Sequence, residues 1–313
     1  MPARSSIITG PARLVMSAAS LHTKGDLNVD IIEETIPIET APYGRIDERA
    51  VDAMIKISGT PDGRWSSAIR GILFPYLNPT IGADIFTASD VPLAIHDQNA
   101  HLHTVVAAAL TKMPSLTLTP RETMLGDFEF TGIRGTGKDW DDADGLYTVA
   151  TSGGSLTDTA FTVAAIKTQV YSGVWSGITG FSSAFYTVEG WTVDFDLQTT
   201  PIQVDEIGTI KQVLSSVSVM ARCRPLGVSW ANIEAALKIQ GTGGARGRSL
   251  QAAGADLTIT GADASTIIVL KSPNLKSAGY KFGNAIVRDG ELAWVGTRSF
   301  SSGVAGAIAT MAG

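Results

Sequence analysis

Few residues in this 313-residue chain have the types and spacing that chemistry needs. Gly132-Ile-Arg-Gly-Thr-Gly-Lys138 matches the first seven positions of a phosphate-binding loop, where glycine amides cradle phosphates and a lysine reaches them. The eighth position is Asp139 where a serine or threonine should hold magnesium, and an acid there repels phosphate. The following Asp-Trp-Asp-Asp-Ala-Asp-Gly cannot open the helix whose N-terminal amides do the cradling, so a hairpin end is expected. Gly241 to Arg248 (GTGGARGR) follows a helical pattern, whereas a dinucleotide fingerprint follows a strand, and it reads as a surface loop. His101 and His103 stand two apart, which puts both rings on one face of a strand, with His96 and Asp97 close by. Spacing names no third or fourth metal ligand. The single cysteine, Cys223, sits in an alternating apolar stretch and reads as a small buried hydrophobe. With no Gly-x-Ser-x-Gly elbow and no His-Glu-x-x-His pair, the expectation is a protein that is not an enzyme and holds no cofactor or metal.

The chain instead repeats itself at an offset of 164 residues. Leu27 to Leu73 lies over Trp191 to Leu237 without a gap, and 11 of the 47 positions are identical, where composition alone gives roughly three. The identities include Pro37/Pro201, Gly44/Gly208, Pro61/Pro225 and Gly63/Gly227, residues that restrict or free the backbone, so they imply shared turns. Gly126 to Arg134 meets Gly290 to Arg298 at the same offset, and Lys112-Met-Pro-Ser-Leu116 resembles Lys271-Ser-Pro-Asn-Leu275 after a five-residue slip.

Alternation of apolar and polar residues makes the chain mainly β. In each repeat it predicts a long hairpin with one buried face. Val51, Ala53, Ile55 and Ile57 face one way in the first, and Val213, Ser215, Val217, Val219, Ala221 and Cys223 in the second. Trp65, Ile69, Ile72 and Leu73 at helical spacing predict one helix per repeat, echoed by Ser229 to Ile239. PARLVMSAA, VPLAIHD, LHTVVAAAL, SLTLT and GDFEFTGI read as further strands, the AAAL stretch also fitting a helix. The expected division is a first β domain over 1–134, a linker over 135–172 in which FTVAAIKTQVY fits a strand, a second β domain over 173–300 and a flexible tail over 301–313.

A net charge of −6 with 17% charged residues argues against a broad basic face that grips nucleic acid. No window reaches 18 consecutive apolar residues and the first residues carry no convincing leader, so a soluble chain made in the cytoplasm is expected, without membrane contact.

TKGDLNVDI, the turn at Gly44, the strand ending ISGTPDGRW, the helix ending LFPY, then TIGADIF and LTKMPSLTL resemble the major tail tube proteins of long, non-contractile (siphovirus-type) bacteriophage tails. The likeness covers most of the first repeat, and VDEIG and RCRPLGVSW echo it in the second. It implies a β-sandwich or small barrel with one flanking helix per repeat, and two tandem tail-tube-like domains. It also implies a virion protein, synthesised in the host bacterial cytoplasm, whose strands join those of neighbours around a bore. Two repeats per chain point to homotrimeric rings with pseudo-sixfold symmetry, the alternative being a homohexamer. Tape measure, terminator and baseplate proteins become partners, and DNA passes without specific binding.

Six such folds of four strands give 24 strands, and at ~4.8 Å spacing and ~40° tilt a wall roughly 48 Å across, wide enough for a duplex. The candidate lumen-lining residues are then Asp30, Glu34, Asp52 and Lys56 of the first repeat and Asp194, Asp196, Ser216, Ser218 and Arg222 of the second. Carboxylates there repel phosphates and keep DNA from sticking, with Lys56 and Arg222 offsetting part of the charge. Gly44, Arg45, Gly208, Arg246 and Arg248 are the candidate ring-stacking residues. Competing readings are a tail terminator or baseplate ring of the same fold, and a DNA-encircling clamp, which needs basic helices around its hole.

Overall fold

The computed structural model describes residues 12–17, 19–86, 90–119, 124–139, 142–157, 170–204, 208–226, 228–237, 255–261, 266–278, 290–298, 300–301 and 304–312. The first half carries β1 (Arg13–Met16), β2 (Ala19–His22), the long β3 (Asn28–Thr40) and β4 (Gly44–Gly59), helix α1 (Ser67–Leu73), β5 (Leu93–His96), β6 (Leu102–Val105), β7 (Ala107–Lys112), β8 (Leu116–Leu118), β9 (Phe128–Ile133) and β10 (Tyr147–Ala150). The second half carries β11 (Tyr171–Trp175), the long β12 (Thr187–Val204) and β13 (Gly208–Pro225), helix α2 (Trp230–Leu237), β14 (Leu257–Gly261), β15 (Thr266–Leu270), β16 (Asn274–Ala278) and β17 (Leu292–Val295). The short β18 (Phe300–Ser301) and β19 (Val304–Ala305) and then β20 (Ala309–Met311) end it. The chain is mainly β, and its sheets are arranged around an axis like four blades, although none runs as a plain up-and-down meander.

Two pairs of sheets share a strand order. β1-β5-β6-β10, with β2 outside β1, corresponds to β11-β14-β15-β20, and β3-β4-β9-β7 corresponds to β12-β13-β17-β16, with β8 outside β12. One open reading resolves as strand and two expectations change here. The AAAL stretch is strand β7, paired along β9. Residues 147–150 of the expected linker form β10 on β6, and Ala309–Met311 of the expected flexible tail pair with β15, so both segments complete sheets. The five-residue slip also fails, because β16 pairs with β17 as β7 pairs with β9, which keeps the offset near 164 throughout. The strand expected in FTVAAIKTQVY lies outside the described residues up to Thr168 and Gln169.

The long hairpins repeat each other residue for residue. Thr40 faces Gly44 across the first tip and Val204 faces Gly208 across the second, the glycines at φ 69° and 83°, where a side chain is strained. Both hairpins bulge at two matching places, and the second has one further register shift at its base, between Thr187 and Trp191. The first extra residue is Val51 or Ser215, the second Ile46 or Ile210. A bulge reverses which side chains face which way, so the alternation read through Val51 and Ser215 breaks there. Leu214 turns inward and Ser215 outward, opposite to the simple pattern.

Helix α1 is short. The Ser66 hydroxyl caps it by accepting the Ile69 N–H, and Ile69 and Leu73 face the core. One core cluster runs through both halves, with Trp191 and Trp294 at ring centroids 5.6 Å apart and Phe74 against Phe195 at 5.1 Å. The repeats share a glycine where neighbouring segments pack against the sheet, Gly132 in β9 and Gly296 just after β17. A Cβ on Gly132 meets Val105 Cγ1 at 2.2 Å, and one on Gly296 meets Ile308 Cγ2 at 3.2 Å. Valine is stiff and cannot swing away. Gly132→Ala is therefore expected to cost about 1–3 kcal/mol and Gly296→Ala clearly less, as measured by urea unfolding of the two variants side by side.

Candidate functional site

The polar faces of the two long hairpins are the feature that sequence and structure single out together. Residues directly opposite across a ladder share a face. Asp30 faces Lys56 and Glu34 faces Asp52, so the four expected residues of the first hairpin do lie on one side. In the second, Asp194 faces Met220, Asp196 faces Ser218, Gln198 faces Ser216 and Thr192 faces Arg222, again one side. The Arg222 guanidinium comes within 3.8 Å of the Asp194 carboxylate, a solvent-exposed pair that contributes little to stability. Each face carries two exposed acids and one base on the named positions, an excess of negative charge.

Asp52 departs from the expected role. It is 3% exposed, because the tip of the second hairpin covers it. Its Oδ1 accepts the Thr209 N–H at 3.0 Å, and Oδ2 accepts the Thr209 hydroxyl and the Gln203 side-chain amide. Gly208 departs with it. A Cβ there would lie 2.4 Å from Asp52 Oδ1, so Gly208 is buried against the first hairpin. Gly44 and Arg45 are at an exposed tip, with Arg45 paired to Glu48. Arg246 and Arg248 lie outside the described residues.

Sequence reasoning missed how the second hairpin is seated. Residues 82–85 pair along its distal half, through Gly82 N–H to Leu214 O, Leu214 N–H to Ala83 O and Ile85 N–H to Gln212 O, each at 2.9 Å. β8, from the first half, pairs along its other strand at Trp191 to Val193. Leu214, turned inward by the bulge, packs with Ile85, Phe86, Ala107, Ala109 and Ile133. The TIGADIF run alone gave no sign of this, since a short strand addition has no periodicity to read.

Among the described residues the first hairpin has no such seat. β3 is the edge of its sheet. Residues 30–39 and 41–50 are exposed on both faces, so the buried face expected along the whole hairpin exists only near its base, at Val29, Ile55 and Ile57. Ile36 (53% exposed), Ile38, Tyr43 (80%) and Ile46 (55%) stand in solvent.

The remaining chemical candidates resolve locally. The segment after β9 joins β10 in a different sheet and so closes no hairpin. Its Thr136 N–H and hydroxyl both donate to the Asp90 carboxylate, an acid where a phosphate would sit. Cys223 is buried, and burial, then the charge of Glu291, pushes its thiol well above the usual range, which removes thiolate reactivity. Among the described residues no helix is long and apolar enough to cross a membrane. No protein-family model matches the chain, and no curated protein matches it.

Asp52→Ala strips the acceptor from two buried Thr209 donors and is expected to cost about 2 kcal/mol in urea unfolding. Glu34→Ala, across the ladder and exposed, should stay within about 0.5 kcal/mol in the same assay.

Proposed function

We propose that the chain is the tube subunit of a long, non-contractile phage tail, closing into rings that stack into a conduit for DNA. The observation that carries this reading is that two hairpins of identical register have unequal surroundings. The second has β8 at the base of β12 and residues 82–85 along the distal part of β13, whereas among the described residues the distal part of the first has no such partner and carries an apolar arm. A long strand with an open edge pairs with another chain unless something covers it. A second copy that seats this hairpin as the first half seats the second makes a head-to-tail contact, and such contacts close into rings when the rotation allows. The counterparts of 82–85 and β8 in sequence, 246–249 and 280–282, lie outside the described residues, and Arg246 and Arg248 fall in the first of them.

In this reading each half is a sandwich, β1-β5-β6-β10 against β3-β4-β9-β7 and β11-β14-β15-β20 against β12-β13-β17-β16, with its helix at the side. Three chains supply six nearly equivalent positions, a pseudo-sixfold ring; a six-chain ring is the alternative. Asp30, Glu34, Lys56, Asp194, Asp196, Ser216, Ser218 and Arg222 face the bore, where the acid excess keeps phosphates from adhering. Rings stack through the exposed tip at Gly44 and Arg45. Tape measure, terminator and baseplate proteins are the partners in the virion tail.

Electron microscopy of the purified full chain is expected to show tubes whose end views have threefold symmetry. Single rings that never stack would move the assignment to a terminator or baseplate ring, and stable monomers would sink it. The double variant Ile36→Lys with Ile38→Lys, at exposed positions, should leave unfolding unchanged within about 0.5 kcal/mol yet abolish assembly. Sedimentation velocity reads the difference.

A further inference from the structure

Three side chains of metal-ligating type converge at the turn between β5 and β6, away from the long hairpins. Asp97 follows β5 directly, His101 precedes β6 and His103 lies within it. Asp97 Oδ2 stands 3.0 Å from His101 Nδ1 and 3.4 Å from His103 Nε2, and the three donor atoms lie within 4.8 Å of one another. Two ligands at ~2.05 Å from a tetrahedral zinc stand roughly 3.3 Å apart, so two edges of this triangle already have the size of a zinc site.

The surroundings aim these atoms at a common point. Asp97 Oδ1 accepts the backbone N–H groups of Asn99 and His101, both at 2.8 Å, which leaves Oδ2 facing the two rings. Burial pushes the Asp97 carboxyl up, but the hydrogen bonds from His101, His103 and Asn99 outweigh it and hold it below the usual range, so it is ionised at neutral pH. His103 is buried and meets the Tyr147 hydroxyl of β10 through Nδ1. Burial, then the charge of Asp97, pushes that hydroxyl up to about 12. It therefore keeps its proton, and it can either donate to Nδ1 or accept from Nδ1–H, the outer partnership that ligating imidazoles have. The His101 side chain is 37% exposed and opens one side of the triangle to solvent. His96 is separate, its Nδ1 accepting the Ser155 N–H.

We propose that Asp97, His101 and His103 bind a zinc-type divalent cation, with water in the fourth position. Two imidazoles and one carboxylate suit such ions better than magnesium or calcium, which take oxygen ligands. In the metal-free state neutral His101 and His103 each donate one N–H to Asp97 Oδ2; when the cation takes those two nitrogens each ring keeps its proton on the other nitrogen, so that His103 Nδ1–H then donates to the Tyr147 oxygen. The bound ion ties the β5–β6 turn to β10 through Tyr147. This goes beyond the assembly role and does not depend on it.

The test uses the untagged full chain, stripped with a chelator and dialysed. Cobalt(II) is expected to bind one equivalent with the visible d–d bands of a tetrahedral site, and zinc at a hundredfold excess over Kd to raise Tm by roughly 5 °C. His101→Ala and Asp97→Asn should each lower zinc affinity at least a hundredfold in competition with a chromophoric chelator. Tyr147→Phe should lower it about 10–100-fold. Circular dichroism of the metal-free variants checks that each remains folded. Absence of cobalt bands and of any zinc-dependent Tm shift in the wild-type chain overturns the proposal, as does a zinc shift of equal size in His101→Ala.

Discussion

The long hairpins outrun the sheets that can cover them, and most of this molecule answers that constraint. β3 and β4, and β12 and β13, extend far past the four strands of their sheets, so their distal backbones expose donors and acceptors on both edges. For the second hairpin the chain itself supplies part of the cover, residues 82–85 along the distal part of β13 and β8 at the base of β12. The bulge at Ser215 is part of the same solution, because it turns Leu214 into the cluster beneath the added strand. Asp52 then closes the tip by accepting from Thr209. The first hairpin has the same bulges and tip, yet its arm ends in solvent with isoleucines on it.

That asymmetry is what the proposed ring assembly of a duplicated chain requires. If both hairpins were seated within one molecule the particle would be closed, and if neither were, the two halves would be free to drift. Seating one joins the halves through a shared core, with Phe74 against Phe195 and the Trp65 indole donating to Ala312 O, and leaves one equivalent surface for a neighbour. The acid excess on the polar faces suits that proposal, since each base there stands beside an acid, Lys56 opposite Asp30 and Arg222 near Asp194.

The turn carrying Asp97, His101 and His103 shows a different economy. A short connection between two small strands gains rigidity from convergent polar side chains where apolar burial is limited, and the same geometry that satisfies hydrogen bonds without metal fits a cation. The His-x-His spacing was visible in the sequence, but the closure of the triangle depends on the turn bringing Asp97 back onto both rings and on β10 placing Tyr147 behind one of them.

By itself the sequence determined the mainly β character, the 164-residue repeat, the glycine tips, the short helices and the membership of each polar face near the hairpin bases, because all of these follow from local periodicity and backbone restriction. It could not show the bulges, which add one residue without a mark in composition and reverse the faces beyond Val51 and Ser215. Nor could it show that Asp52 and Gly208, expected in solvent, face each other in the interior. Which of two equal hairpins is covered was decided only by tertiary structure. Residues 82–85 and β8 are distant from β12 and β13 in the chain, and their pairing depends on how two halves with a common core pack.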